Sequence, residues 1–175
     1  LDLALALSGI TSLEAFGTLT ITFEFDPTVK ETNIRASLQK YFYDSLEIIE
    51  GENFIISSDI ISMRSLDNWI KLNFMERTTG NKIRYHIQFV IATRQDDEGY
   101  ILDALEEKID KYIYGDAGGN RAISFYDISN LPNLTEIGKI HLRPQRTSNT
   151  FNLDDRTKAR IIDIIAYIST KAMVN

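Results

Sequence analysis

Two histidines are the residues best suited to proton transfer or metal binding, since imidazole titrates near neutral pH and binds transition metals. His86 and His141 are 55 residues apart, and neither lies in a paired-histidine or H-E-x-x-H pattern. His86 also falls on the polar side of a predicted strand. A shared metal site would need the fold to bring both rings together with a carboxylate. We therefore expect surface or hydrogen-bonded histidines, with no metal and no cofactor.

Adjacent carboxylates are the other candidates for chemistry. Asp96-Asp97-Glu98 could hold a divalent cation, and Asp154-Asp155 resembles this group ahead of the last segment. Acidic residues at the start of a helix more commonly interact with the positive end of the helix dipole. A hydrolase that used two carboxylates would need them to face each other across a cleft. Metal binding and hydrolysis stay open as alternatives on these residues.

No nucleophile or phosphate-binding motif accompanies the carboxylates. The chain has no cysteine, which excludes disulfides, thiolate catalysis and cysteine-ligated metals. No serine lies in a G-x-S-x-G elbow. The glycine-rich stretch from Gly115 to Asn120 lacks a Lys-Ser/Thr pair and follows a predicted helix, whereas phosphate loops follow a strand. We interpret it as a helix stop, and we expect no catalytic residue and no enzymatic function.

Charge and hydropathy exclude two broad classes of partner. The net charge is −6 and the pI is about 5.0, which does not suit general binding of nucleic-acid phosphates. No apolar run approaches the roughly 20 residues that span a bilayer. We therefore expect neither membrane association nor specific nucleic-acid binding.

A basic region late in the chain contrasts with this acidic average. Arg143, Arg146 and Arg156 lie close together in sequence, followed by Lys158 and Arg160. The polar stretch has no hydrophobic period, so we predict a long mobile loop at 143–157. Such a loop could meet an acidic protein surface, which we favour, or nucleic acid. Phe151 has no periodic partner, and it either packs against its own domain or waits for a partner.

Hydrophobic periodicity predicts the elements that position these residues. Two segments, about 31–50 and the one after Asp96-Asp97, have helical spacing. The second has a predicted buried stripe of Ile101, Leu105, Ile109 and Tyr112, with Leu102 and Ile113 beside it. Alternation predicts a strand in which Thr18, Thr20 and Thr22 form one face, within an N-terminal strand extension of residues 1–26. Further strands are predicted at 54–56, 69–77, 82–93, 122–128, 137–142 and 158–169. For the last segment a helix fits nearly as well, and its β-branched residues favour the strand.

The order of these elements predicts a single domain over residues 1–175 with an α+β fold. The pair at 69–77 and 82–93, joined by turn residues, is typical of a β-hairpin. Tight connections of this kind favour a mostly antiparallel sheet. Two amphipathic helices can pack on one of its faces.

Four segments together carry a resemblance to a known family. They are the helix around Leu38-Gln39-Lys40-Tyr41-Phe42, the hairpin from Trp69 to Ile91, the acidic-start helix Tyr100-Ile101-Leu102-Asp103-Ala104-Leu105, and the closing Ile161-Ile162-Asp163-Ile164-Ile165-Ala166-Tyr167. Over about residues 31–170 this layout resembles the tail terminator proteins of long-tailed bacteriophages. The length is similar to the tail tube terminator of contractile-tailed phages of the T4 type.

The resemblance implies a structural role in the virion tail. In that family a ring of six copies caps the finished tail tube, stops its growth and offers a surface to the neck and head. The implied partners are other copies of the chain, the tail tube protein and the neck or sheath-terminator proteins. Assembly would take place in the host cytoplasm. The resemblance identifies no contact residues, so the candidates for subunit or partner contacts are Thr18, Thr20, Thr22, Arg143, Arg146, Phe151 and Arg156.

Two other functions compete with this one. The chain could be another phage neck or baseplate protein, or a small protein-binding adaptor of similar fold. It could also be a carboxylate- or metal-dependent hydrolase. A stable ring would favour the first interpretation, partner binding by a monomer the second, and a metal-dependent rise in melting temperature the third.

Overall fold

The structure is a computed structural model, and it describes residues 30–56, 65–78, 83–115 and 119–170. The predicted strand extension of residues 1–26 lies outside the described residues, and so do its candidate contacts Thr18, Thr20 and Thr22. The predicted hairpin turn at 79–81 also lies outside them.

In the described part of the chain, seven strands form one sheet, and two helices pack on one side of it. In chain order the elements are α1 (Glu31–Phe42), a π-helical segment (Tyr43–Ile49), β1 (Phe54–Ile56), β2 (Asn68–Thr78), β3 (Ile83–Arg94), α2 (Tyr100–Ile113), β4 (Arg121–Asp127), β5 (Thr135–Thr147), β6 (Phe151–Asp154) and β7 (Thr157–Thr170). The strand order is β1-β2-β3-β7-β5-β4, and β6 pairs with β7. Every pairing is antiparallel except that of β1 with β2. The predicted α+β class with a mostly antiparallel sheet is confirmed.

The β2–β3 hairpin and β7 form the centre of the sheet. β3 pairs with β7 along its whole length, from Ile83↔Ile168 to Arg94↔Thr157. The last segment, for which helix and strand both fitted the sequence, is therefore a strand. This is the structure that its β-branched residues favoured. Successive side chains of a strand point to opposite sides, so one side of these strands is apolar and faces the helices. The fully buried residues of that side are Ile70, Leu72, Ile87, Phe89, Ile91, Ile164 and Ala166.

Helix α1 supplies one half of the helix layer. Its apolar residues recur every three or four positions, which puts Ile34, Leu38 and Phe42 on one buried stripe. The stripe continues to Leu46 in the π-helical segment. Gly51 follows with a φ of +70°, a left-handed conformation in which a side chain is strained. The predicted helix over about 31–50 and its glycine stop are both confirmed.

Helix α2 supplies the other half, and Asp96 determines where it begins. The Asp96 carboxylate accepts hydrogen bonds from the backbone N–H groups of Gly99 at 3.0 Å and Leu102 at 2.9 Å. These donors have no partner within the helix, so the carboxylate caps its first turn. The predicted buried stripe was partly wrong, because Ile101 is 47% exposed and Tyr112 only half-buried. The buried residues are Leu102, Leu105, Ile109 and Ile113.

The predicted loop at 143–157 was wrong. Strand β5 extends to Thr147, β6 occupies Phe151–Asp154, and β7 begins at Thr157. The physical reason is that β7 has 14 residues and offers a long row of backbone hydrogen-bonding groups. β5 pairs with its second half, and β6 pairs with its beginning. Backbone pairing of this kind needs no hydrophobic period, so the polar sequence concealed it.

The outer edge of β4 is covered by α1. The Tyr126 N–H donates to the Ser37 hydroxyl at 2.9 Å, and the Ile128 N–H donates to the Asn33 side chain at 3.4 Å. The Ser37 hydroxyl in turn donates to the Asn33 carbonyl at 2.7 Å. These bonds occupy backbone groups that could otherwise pair with another chain. Among the described residues, no helix is long and apolar enough to cross a membrane.

Candidate interaction surface

The side of the sheet opposite the helices bears four of the polar side chains that sequence analysis singled out, namely His86, His141, Arg143 and Arg146. We call this side the open face, because neither α1 nor α2 packs on it. The register of β2, β3, β7 and β5 assigns to it Lys71, Asn73, Arg84, His86, Gln88, Asp163, Ile165, Tyr167, His141, Arg143 and Arg146. It mixes cationic, aromatic and aliphatic side chains, which is a composition found at protein–protein interfaces.

Asp163 lies at the centre of the open face and is only 6% exposed. Three side chains from two neighbouring strands contact its carboxylate. Gln88 Nε2 donates at 3.0 Å, Arg146 Nε donates at 2.9 Å, and His86 Nε2 lies at 3.2 Å. A buried carboxylate is costly unless hydrogen-bonded and paired, and these contacts supply both compensations. The cluster therefore ties β3, β7 and β5 together across the face.

The ionisation of Asp163 follows from the same contacts. Burial raises the pKa of Asp163, but the hydrogen bonds from Arg146, Gln88 and His86 outweigh it and hold the pKa below its ordinary value. The carboxylate is thus charged at neutral pH. It acts as an anchor for the guanidinium of Arg146, whose side chain is still 81% exposed.

A β-bulge at Gln145 brings Arg143 and Arg146 onto the same side of the sheet. Arg143 pairs with Ile165, and Arg146 pairs with Asp163, so one extra residue stands between the two on β5. Without that residue, positions three apart would point to opposite sides. A bulge re-aims side chains in this way. Pro144 is tolerated here because the pairing of β4 with β5 ends at Leu142, and beyond it no described strand pairs with the outer side of β5.

Arg84 completes the exposed cationic group. Its guanidinium carbon lies 5.6 Å from the centre of the Tyr167 ring, in a cation–π contact. Arg84, Arg143 and Arg146 are all exposed, and we call these three residues the arginine surface. Tyr167 and Ile165 lie between them on β7 and are half-buried. This arrangement can bind a surface that offers carboxylates around an apolar centre.

The same face is apolar at the end where β6 lies. A small cluster of Ile55, Trp69, Ala92 and Ala159 is buried there, and Phe151 packs against it. Of the two interpretations of Phe151, the structure therefore favours packing within its own domain. Phe151 is half-buried and is not a free contact residue.

The remaining basic residues of the late region have separate surroundings. Arg156 is exposed in the turn between β6 and β7, where its N–H donates to Asp154 at 2.9 Å. Arg160 faces the helix layer and forms ion pairs with Asp103 at 2.6 Å and Glu106 at 2.7 Å. Lys158 donates to the Asp97 carbonyl. The region is therefore split between the two sides of the sheet, and only Arg143 and Arg146 share the open face.

The candidates for chemistry are also separated. His86 and His141 lie on the same face, but β7 runs between their strands. Asp96 is occupied as the cap of α2, and Asp154 accepts the backbone N–H of Arg156. Within the part of the chain that the structure describes, no three His, Asp or Glu side chains are grouped so as to hold a metal ion.

Sequence reasoning missed Asp163, Gln88 and Lys71 as members of this surface. Asp163 carried a signal, since it is the one charged residue within the apolar run from Ile161 to Tyr167. A charge in such a run requires buried partners. Identifying those partners needs the register of three strands, which the sequence does not provide.

Comparison with known proteins supports the fold and nothing more specific. No protein family matches the sequence, and no curated protein does. Fifteen chains of solved structures match. One of them superposes with a TM-score of 0.60 at 8% sequence identity, over 82% of this chain and 98% of that chain. Its name states no activity, and at this identity the likeness establishes the fold alone.

Proposed function

We propose that this chain is a structural subunit of a phage tail that forms a ring on the tail tube and ends its growth. Its partners are further copies of itself, the tail tube protein, and the neck or sheath-terminator proteins. It resides in the virion tail after assembly in the host cytoplasm. The layout of elements over about residues 31–170 resembles the tail terminators, and the α+β domain is compatible with that resemblance.

The open face is the observation that carries the proposal. A closed ring of identical subunits needs two different surfaces on each copy, which meet head to tail. This domain has two unlike layers, namely a helix layer and a sheet face with the arginine surface. The arginine side chains extend into solvent although Asp163 holds one of them in place. Ordered, exposed arginines beside Tyr167 are typical of a binding surface.

A second candidate function is a small protein-binding adaptor. It is favoured by an apolar groove of about 200 Å³ between α1 and the connection from β4 to β5. Ala36, Tyr126, Ile128 and Leu134 line this groove together with Leu131, which is 66% exposed. An adaptor would bind through this groove as a monomer, whereas a terminator acts as a ring.

Tube growth in the presence of the chain tests the terminator function. Purified tail tube protein from the same phage would be polymerised with increasing amounts of the chain, and tube lengths would be measured by electron microscopy. We expect shorter tubes as the ratio of chain to tube protein rises, because each ring blocks one growing end. An unrelated acidic protein at equal concentration is the control. Tubes of unchanged length at all ratios would contradict the proposal.

A further inference from the structure

We propose that neighbouring copies meet through an acidic stripe on α2 of one copy and the arginine surface of the next. The acidic stripe consists of Tyr100, Ile101 and Glu107 on the exposed part of α2, together with the exposed Glu98, which lies two residues before the helix begins. The inference rests on the proposed ring and adds the two surfaces that would form its contact. Opposite charge on the two surfaces is what identifies a second copy as the occupant.

The acidic stripe is exposed and carries an excess of negative charge. The segment from Asp97 to Ile113 has six acidic residues and two basic ones. The two basic residues pair with Glu52 and Glu50, and two of the acidic residues, Asp103 and Glu106, pair with Arg160. Among the described residues, no ion pair engages Glu98 or Glu107. The carboxylates of α2 also affect one another. Burial raises the pKa of Asp110, and the nearby negative charges of Glu106 and Glu107 raise it further.

The stripe also contains large apolar side chains that no described residue covers. Tyr100 is 73% exposed and Ile101 is 47% exposed. Residues 100, 104 and 107 lie three or four positions apart and share one face of α2, and residue 101 lies at the edge of that face. That face points away from the sheet, since Leu102, Leu105 and Ile109 are the buried ones. An exposed tyrosine and isoleucine with flanking carboxylates form an anchor for an interface.

The arginine surface offers the complementary chemistry. Arg84 and Arg143 are exposed around Tyr167 and Ile165, and Arg146 is held by Asp163. Among the described residues near Tyr167 on this face, the acidic ones are the buried Asp163, Glu76, and Glu136, which pairs with Lys139, whereas Asp154 lies at the β6 end of the face. The exposed charge around Tyr167 is therefore positive, although the chain as a whole has a net charge of −6.

The positions of the two surfaces determine the kind of assembly. The acidic stripe lies on the helix layer, and the arginine surface lies on the opposite side of the sheet. A contact between unlike surfaces on opposite layers is heterologous, so each copy uses one surface for the preceding copy and the other for the next. Such a contact closes into a ring when the rotation between copies allows it.

Charge reversal tests this contact. One variant carries Arg84→Glu and Arg143→Glu, and a second carries Glu98→Arg and Glu107→Arg, while Arg146 is kept because it pairs with Asp163. We expect each variant alone to associate at least about a hundredfold more weakly than the unchanged chain, since like charges then face each other. The measurement is sedimentation velocity over a concentration series. Melting curves check that each variant stays folded.

Mixing the two variants is the more demanding part of the test. In a ring where the two variants alternate, the reversed acidic stripe of one variant contacts the reversed arginine surface of the other. The unchanged acidic stripe likewise contacts the unchanged arginine surface. We therefore expect a 1:1 mixture to recover the ring if the number of subunits is even. A single chain with all four substitutions should recover it as well, because its charges are exchanged across the contact. Lys30→Glu, which reverses one exposed positive charge outside both surfaces, should leave association unchanged.

The outcomes separate this inference from the proposed function. Rings that form equally well in both variants would overturn the contact and leave the terminator function standing. A chain that is monomeric at every concentration would overturn both. If association is unaffected but a DNA duplex binds the chain and not the Arg84→Glu/Arg143→Glu variant, the arginine surface serves nucleic acid and the contact is overturned. Recovery by mixing supports the contact, because a general loss of folding could not produce it.

Discussion

Replacing Phe89 with alanine will lower the free energy of unfolding by about 3–5 kcal/mol. Phe89 lies at the middle of the sheet on β3 and is fully buried. Its ring meets that of Phe42 edge to face, with centroids 4.8 Å apart, and it lies 6.5 Å from the ring of Phe54. Truncation would remove the side chain on which α1 and β1 both pack. Urea denaturation followed by circular dichroism measures the loss.

Phe151→Ala is the matched control for this substitution. It removes the same atoms from a half-buried ring on the open face. We expect it to lower the free energy of unfolding by about half as much or less, because less apolar area leaves water when this ring packs. Equal losses for the two variants would contradict the two-sided sheet, in which the helix side holds the main core.

Asp163→Asn will reduce the free energy of unfolding at neutral pH by about 1.5–3 kcal/mol, the range for hydrogen bonds to a charged group. The amide keeps the shape of the side chain but loses the charge that holds Arg146. It also has one acceptor oxygen in place of two, so it cannot replace all three contacts with His86, Gln88 and Arg146. The variant should also change how stability depends on pH. The folded pKa of Asp163 lies below the ordinary value of 3.8, so its charged form is favoured in the folded chain.

The sign of that pH dependence follows from linkage between protonation and folding. The stabilising contribution of a carboxylate with a lowered pKa is fully present above the unfolded value of 3.8 and is lost as the pH falls through the folded value. As the pH falls below about 3.8, the unchanged chain should therefore lose more stability than Asp163→Asn. Asp155→Asn, in the exposed turn after β6, is the control and should follow the unchanged chain. Equal acid sensitivity of Asp163→Asn and the unchanged chain would refute the role of the cluster.

The elements that sequence analysis predicted correctly are those whose hydrophobic period matches their packing. The hairpin of β2 and β3 alternates on both strands, and α1 keeps one apolar stripe, so each could be identified without its neighbours. Strand β7 was harder, because it is buried at the centre of the sheet and its apolar run fits helix and strand alike. Its pairing with β3 along its whole length settles the choice.

The errors arose where backbone contacts outweigh side-chain pattern. Residues 143–147 are polar, and residues 151–154 contain only two apolar side chains, yet both segments form strands because β7 offers its free backbone groups. The exposure of Ile101 follows from the cap at Asp96, which sets the rotation of α2 relative to the sheet. Neither effect leaves a hydrophobic period in the sequence.

The candidate surface could be predicted only in part. Arg143 and Arg146 stood out as basic residues in an acidic chain, but their common side depends on the bulge at Gln145. Arg84, Gln88 and Asp163 join them through the register of β3, β7 and β5, which spans 80 residues of sequence from Arg84 to Asp163. Long-range register of this kind cannot be read from local pattern.

Native mass across a concentration series tests the ring most directly. Six copies of the 20.0 kDa chain give a closed ring of about 120 kDa, and the proposed function predicts that species without larger polymers. It should dissociate as salt is raised, because the proposed contact depends on exposed charges. A mass of 20.0 kDa at every concentration, or an open ladder of masses without a limit, would contradict the ring.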